Sequence, residues 1–109
     1  MAKCSLDNLL KSNQPVISAI TEIELLCWKS ATEKDVELLH SFMNNSLVIE
    51  LEKAIKLKTA EVRKANRIKL PDAIIAATAI VYDLTLLSRN TSDFKNIENI
   101  KMVNPWKIV

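Results

Sequence analysis

The chain of 109 residues contains no glycine. A phosphate-cradling P-loop and the GxGxxG turn of dinucleotide-binding folds both need glycine, where the backbone turns tightly or approaches its ligand. Both are excluded. Histidine is nearly as scarce, His40 being the only one. One histidine cannot build the usual Cys/His zinc site. Serine–histidine or cysteine–histidine catalysis would have to use His40, which sits in mid-helix with no partner signal. The two cysteines, Cys4 and Cys27, stand far apart with no CxxC pair, and are expected to be the free thiols of an intracellular protein. No stretch approaches the roughly 20 apolar residues that span a bilayer. The opening segment MAKCSLDNLLKSNQ has no apolar region of a secretory signal. A cytoplasmic protein with a single domain over residues 1–109 is the expectation. The net charge of +2 is too small to argue for nucleic acid by itself.

What is present alternates between strand and helix. Pro15 to Ile20, PVISAI, is a short β-branched run that reads as a buried strand. Thr21 then offers an N-cap with Glu24 at N3, a capping-box spacing, for a helix to about Trp28 with Ile23, Leu26 and Cys27 on one face. Thr32 caps a second helix, in which Val36, Leu39 and Met43 recur at helical spacing until Asn44, Asn45 and Ser46 end it. Leu47 to Leu51 is the next strand. Glu52 to Arg67 is a polar helix with Ile55, Val62 and Ala65 on its apolar side and Lys53, Lys56, Arg63, Lys64 and Arg67 on the other. Pro71 suits N1 of a helix running to about Asp83, nearly apolar all round and therefore expected to be buried. Thr85 to Ser88 and Ile100 to Val103 are two further strands, joined through a turn at Arg89 to Lys95. The alternation implies an α/β fold with a parallel sheet.

Acidic residues punctuate this pattern. Asp72 is the only charge between Leu70 and Tyr82. Glu24 follows a strand, at its carboxyl end. The helix from Pro71 runs antiparallel to the strand after it, over about 13 residues or roughly 20 Å, and that strand climbs back at about 3.3 Å per residue. Asn90 and Asp93 therefore return to the level of Asp72, at the edge where open α/β sheets bind ligands. Clustered carboxylates repel one another unless a cation lies between them. Oxygen-rich, histidine-free sets suit Mg²⁺ or Mn²⁺, which can support in-line displacement at a phosphodiester. Each residue also has a plainer explanation. Glu24 fits a capping box, Asp72 is favoured at a helix start by the macrodipole, and Asp93 suits a turn. The lysines and arginines between Lys53 and Lys69 suit a solvated face, and Trp28 and Trp106 suit packing.

Three motifs in order, ISAITEIELL, KLPDAIIAATA and LLSRNTSDF, followed by NPW, resemble the PIN-domain ribonucleases, and among them the VapC-like toxins of prokaryotic type II toxin–antitoxin pairs. The resemblance spans about Pro15 to Trp106. It implies a PIN-like three-layer α/β fold, a parallel sheet flanked by helices. It also implies cleavage of RNA by metal-activated water with Mg²⁺ or Mn²⁺, a homodimer, and a small antitoxin protein that covers the site. The family's glutamate matches Glu24 in TEIEL. Its helix-starting aspartate matches Asp72 in LPDAIIA, and its last polar position matches Asn90 in SRN. Asp93 in SDF is a neighbouring acid that could supplement them, and Ser88 stands where the family has threonine. These four, Glu24, Asp72, Asn90 and Asp93, are the expected metal-site and catalytic residues. Lys56, Arg63 and Arg67 are the residues expected to steer RNA.

The sequence departs from the family at its start. Family members open on a central strand ending in a Leu-Asp-Thr-Asn-like motif, whose aspartate holds metal. Only 14 residues precede Pro15. Asp7 in SLDNLL is the tempting substitute, but neighbouring parallel strands need a crossover of a dozen or more residues, and Asp7 to Pro15 leaves too few. LDNLLKSN reads instead as the end of a helix. The first strand, its helix and the first aspartate are expected to be missing, which would leave sheet edges unpaired. Two functions follow: a metal-dependent ribonuclease in shortened form, or a catalytically inactive PIN-like module that acts through oligomer or partner contacts.

Overall fold

The structure, a computed structural model, describes residues 15–88 and 92–104. Asp7, Cys4, Asn90 and Trp106 lie outside them. The order is β1 (Val16–Ser18), α1 (Ala19–Leu26), α2 (Glu33–Asn44), β2 (Leu47–Ile49), α3 (Lys53–Ala65), α4 (Leu70–Val81), β3 (Thr85–Leu87) and β4 (Lys101–Val103). β1 pairs with β2 in parallel, Ile17 opposite Val48, and β3 pairs with β4 in parallel, Leu86 opposite Met102. The expected α/β architecture with parallel strands is present. Among the described residues the ladder is in two pieces, two strands each.

α4 joins the two pieces. Its residues Ala73 to Ala79 are all buried, as a helix apolar on every side requires. Ala73, Ile75, Ala76 and Ala79 pack with Leu86, Phe94 and Ile97, while Ile74 and Ala77 pack with Val16, Ile49 and Ile55. The four alanines let neighbouring elements approach α4 closely, and Ile20 packs against both clusters. Thr78 satisfies its buried hydroxyl by donating to the Ile74 carbonyl at 2.6 Å, and Thr59 does the same to Ile55 in α3 at 2.7 Å.

α1 starts three residues earlier than its sequence suggests. Ser18, not Thr21, is the N-cap: the Thr21 N–H donates to Ser18 Oγ at 3.1 Å, and the two hydroxyls lie 3.0 Å apart. Ser18 and Thr21 are both fully buried, so this hydroxyl pair satisfies itself where water cannot reach. Strand β1 is correspondingly short. The face carrying Ile23, Leu26 and Cys27 is turned outward; Ile23 is 53% and Leu26 58% exposed. By contrast, α2 begins as expected, with a reciprocal capping box. The Thr32 N–H donates to Asp35 Oδ2 at 2.9 Å and the Asp35 N–H donates to Thr32 Oγ1 at 3.1 Å. No residue of α2 is fully buried. On α3, Ile55 and Val62 are buried as expected, but Ala65 is exposed at the helix end.

Candidate functional site

α4 begins where Lys69 leaves extended backbone at φ −68°, ψ 150°. Pro71 in the first turn forgoes an N–H that no helical carbonyl could accept, and the Ala73 N–H closes the first turn on the Lys69 carbonyl at 2.9 Å. The helix start has no side-chain cap bond. Asp72 is half-buried there, and among the described residues no hydrogen bond or ion pair engages its side chain. It is therefore not a hydrogen-bonding cap, although its charge still complements the helix dipole.

The segment between β3 and β4 brings a second carboxylate. Phe94 is 4% and Ile97 6% exposed, and the Ile97 N–H donates to the Phe94 carbonyl at 3.0 Å. This buried tether fixes a turn whose exposed residue Asp93 is adjacent to Phe94. Asp72 and Asp93 line one cleft of about 190 Å³, together with Arg67, Ile68 and Lys69. Four of these five residues are charged, two of each sign, so the cleft offers both carboxylates and cationic groups to a ligand. Ser88, at the end of β3, is buried.

Glu24 is placed differently. With α1 starting at Ala19, it is the sixth residue of the helix rather than a first-turn residue, and its capping-box role is withdrawn; Glu22 is the acid of the first turn. Glu24 is exposed and is not among the residues lining the cleft. Asn90 is outside the described residues. Among those described, no group of three or more acidic, histidine or cysteine side chains is close enough to hold a metal ion. Two carboxylates in an open cleft nevertheless fit Mg²⁺, which keeps several waters and commonly takes only one or two carboxylates alongside substrate phosphates.

The basic residues split between two places. Arg67 is at the carboxylate cleft. Lys56 and Arg63 line a separate groove of about 440 Å³ with Leu51, Thr59, Leu70 and Ile74, and the Arg63 guanidinium Nε donates to the Ile68 carbonyl at 3.2 Å. Lys69 is the residue that sequence reasoning missed. Its neighbours Lys64 and Arg67 read as a solvated face, and the cleft position follows only once the helix start at Leu70 places Lys69 beside Asp72. Trp28 is half-exposed, its indole N–H donating to Ser30 Oγ at 3.0 Å. It borders an apolar groove between α1 and α2 with Leu25, Leu38, Leu39 and Phe42.

Known proteins share this fold. The family described as PIN domain matches residues 2–100, so the match also takes in the segment before Pro15. Among solved structures, a chain of VapBC2 from Rickettsia felis, bound to a DNA fragment from their promoter, is 27% identical. It has a TM-score of 0.77, with 91% of this chain and 80% of that chain covered. A chain of a toxin–antitoxin complex from Klebsiella pneumoniae is 31% identical with a TM-score of 0.71, covering 85% of this chain and 75% of that one. DNA-bound VapBC from Salmonella typhimurium is similar in fold, at 22% identity and a TM-score of 0.76, over 89% of this chain and 80% of that chain. The search of curated proteins found no match. A parallel α/β scaffold, an acid starting a buried helix and a match over most of the chain lead to one conclusion: this protein belongs to the PIN domain family and is VapC-like.

Proposed function

We propose that this chain is the toxin of a toxin–antitoxin pair and acts as a metal-dependent ribonuclease. The observation that carries this reading is the pairing of Asp72 and Asp93 in one cleft beside two cationic side chains. Asp72 and Asp93 would hold Mg²⁺ or Mn²⁺, with Asn90 as a further oxygen donor; Glu24, exposed on α1, does not line this cleft. A bound Mg²⁺ or Mn²⁺ would orient and activate water and stabilise the charge of a phosphodiester in in-line displacement. The chain's own contribution is placement. The buried helix α4 holds the Asp72 carboxylate at a fixed point, and the Phe94 tether holds the turn that carries Asp93. Arg67 draws the RNA strand toward the cleft, while Lys56 and Arg63 add to the attraction from further along α3.

Several solved relatives are toxin–antitoxin complexes, which supports a small antitoxin as partner. The exposed apolar side chains of α1, α2 and the loop between them, Ile23, Leu26, Leu38 and Trp28, suit a protein surface that is covered in a complex. A homodimer is part of the same reading, and light scattering of the purified chain measures it. The deciding experiment is cleavage of single-stranded RNA with Mg²⁺ or Mn²⁺, against EDTA and against Asp72→Asn. Metal-dependent cleavage that falls at least 100-fold in the variant is expected. Equal cleavage by both proteins removes Asp72 from the mechanism, and no cleavage under any condition leaves the inactive binding module in its place.

A further inference from the structure

We infer that Lys69 and Arg67 form the phosphate-holding wall of the carboxylate cleft, and that they make RNA and metal bind cooperatively. The inference rests on the ribonuclease reading and deepens it. Lys69 and Arg67 line the same cleft of about 190 Å³ as Asp72 and Asp93. Four charges that share one small cleft are screened only in part from one another, since the Debye length at physiological salt is about 8 Å. Yet among the described residues neither Lys69 nor Arg67 forms an ion pair, and both are exposed at the mouth of the cleft. The cations are available to an incoming ligand rather than spent on a neighbouring carboxylate.

Two consequences follow from the charges alone. Two positive side chains beside the carboxylates repel an incoming divalent cation, so they weaken metal binding to the empty cleft. A strand whose phosphate engages Lys69 and Arg67 neutralises them and adds negative charge of its own, so metal then binds more tightly. By linkage, metal strengthens RNA binding by the same factor. Arg67 presents a planar fork that can meet two phosphate oxygens, while Lys69 acts as a point charge at the start of α4.

The test uses the full chain with Lys69→Gln, Arg67→Gln and, as a control on α2, Lys34→Gln. Binding of Mn²⁺ alone is measured by calorimetry. Binding of a fluorescent single-stranded RNA oligonucleotide is measured by anisotropy in EDTA, where no cleavage occurs, and circular dichroism checks folding. Lys69→Gln and Arg67→Gln are each expected to weaken RNA binding by about three- to tenfold, to lower the salt slope by about 0.7, and to tighten Mn²⁺ binding by about two- to fivefold, while Lys34→Gln changes neither. Unchanged RNA affinity in both cleft variants, or weaker Mn²⁺ binding, overturns the inference. The ribonuclease reading fails separately. A wild-type chain that shows these opposed shifts but never cleaves RNA retains the clamp and loses the enzyme. One that cleaves RNA while the variants bind like wild type retains the enzyme and loses the clamp. A wild-type chain that binds neither ligand sinks both.

Discussion

Asp72→Asn separates a metal-holding carboxylate from a helix-start residue without any RNA present. The substitution keeps the shape of the side chain and removes its charge. Asp72 is half-buried, and no side-chain bond caps α4, so the structural loss is limited to the helix-dipole interaction, about 0.3–1 kcal/mol. Metal binding has a different signature. A ligand at ten times its dissociation constant stabilises the folded chain by about 1.4 kcal/mol. Unfolding entropy is about 2.1 cal/mol/K per residue, so for 109 residues that stabilisation raises Tm by about 6 °C. The assay is thermal unfolding followed by circular dichroism, across a Mg²⁺ or Mn²⁺ titration with a calcium-free, EDTA-treated reference. Wild type is expected to gain about 6 °C at ten times its own midpoint concentration, and Asp72→Asn to gain less than about 2 °C at the same concentration. A metal-dependent rise of equal size in both proteins refutes the assignment of Asp72 to the metal site. No rise in either refutes the metal fit of the cleft.

Two predictions concern the scaffold. Ile75, 2% exposed in the α4 cluster, is one turn below Asp72, and Ile75→Ala is expected to cost about 2–5 kcal/mol. Urea unfolding measures this, and Leu57→Ala on the exposed side of α3 should stay within about 0.5 kcal/mol of wild type. Thr32→Ala removes one half of the α2 capping box and is expected to lower stability by about 0.5–2 kcal/mol. A loss below the error of urea unfolding would mean that α2 contributes little to the cooperative fold.

The elements that were legible in sequence are those whose causes are local. The Thr32–Asp35 box lies within four residues, and its hydroxyl and carboxylate need nothing else to cap a helix. The run from Leu70 to Val81 has one charge and no helix breaker beyond Pro71, so its burial and its starting acid follow from composition. The start of α1 was not legible, because Ser18 and Thr21 are both competent caps three residues apart. Only the buried hydroxyl pair at the end of β1 selects Ser18. That selection also moved Glu24 out of the first turn.

The sequence by itself determined the alternation of strand and helix, the PIN-like motif order and the place of Asp72 at the start of a buried helix, since propensity, capping and hydrophobic period act over a few residues. The tertiary structure decided that the distant carboxylate Asp93 meets the charges around Asp72. Asp93 joins Asp72 because Phe94 is anchored in the core shared with α4. Arg67 and Lys69 line the same cleft, while Lys56 and Arg63 line another groove, because the chain turns between α3 and α4. Charges distant in sequence become neighbours only when buried apolar contacts bring their elements together, and no local pattern records that meeting.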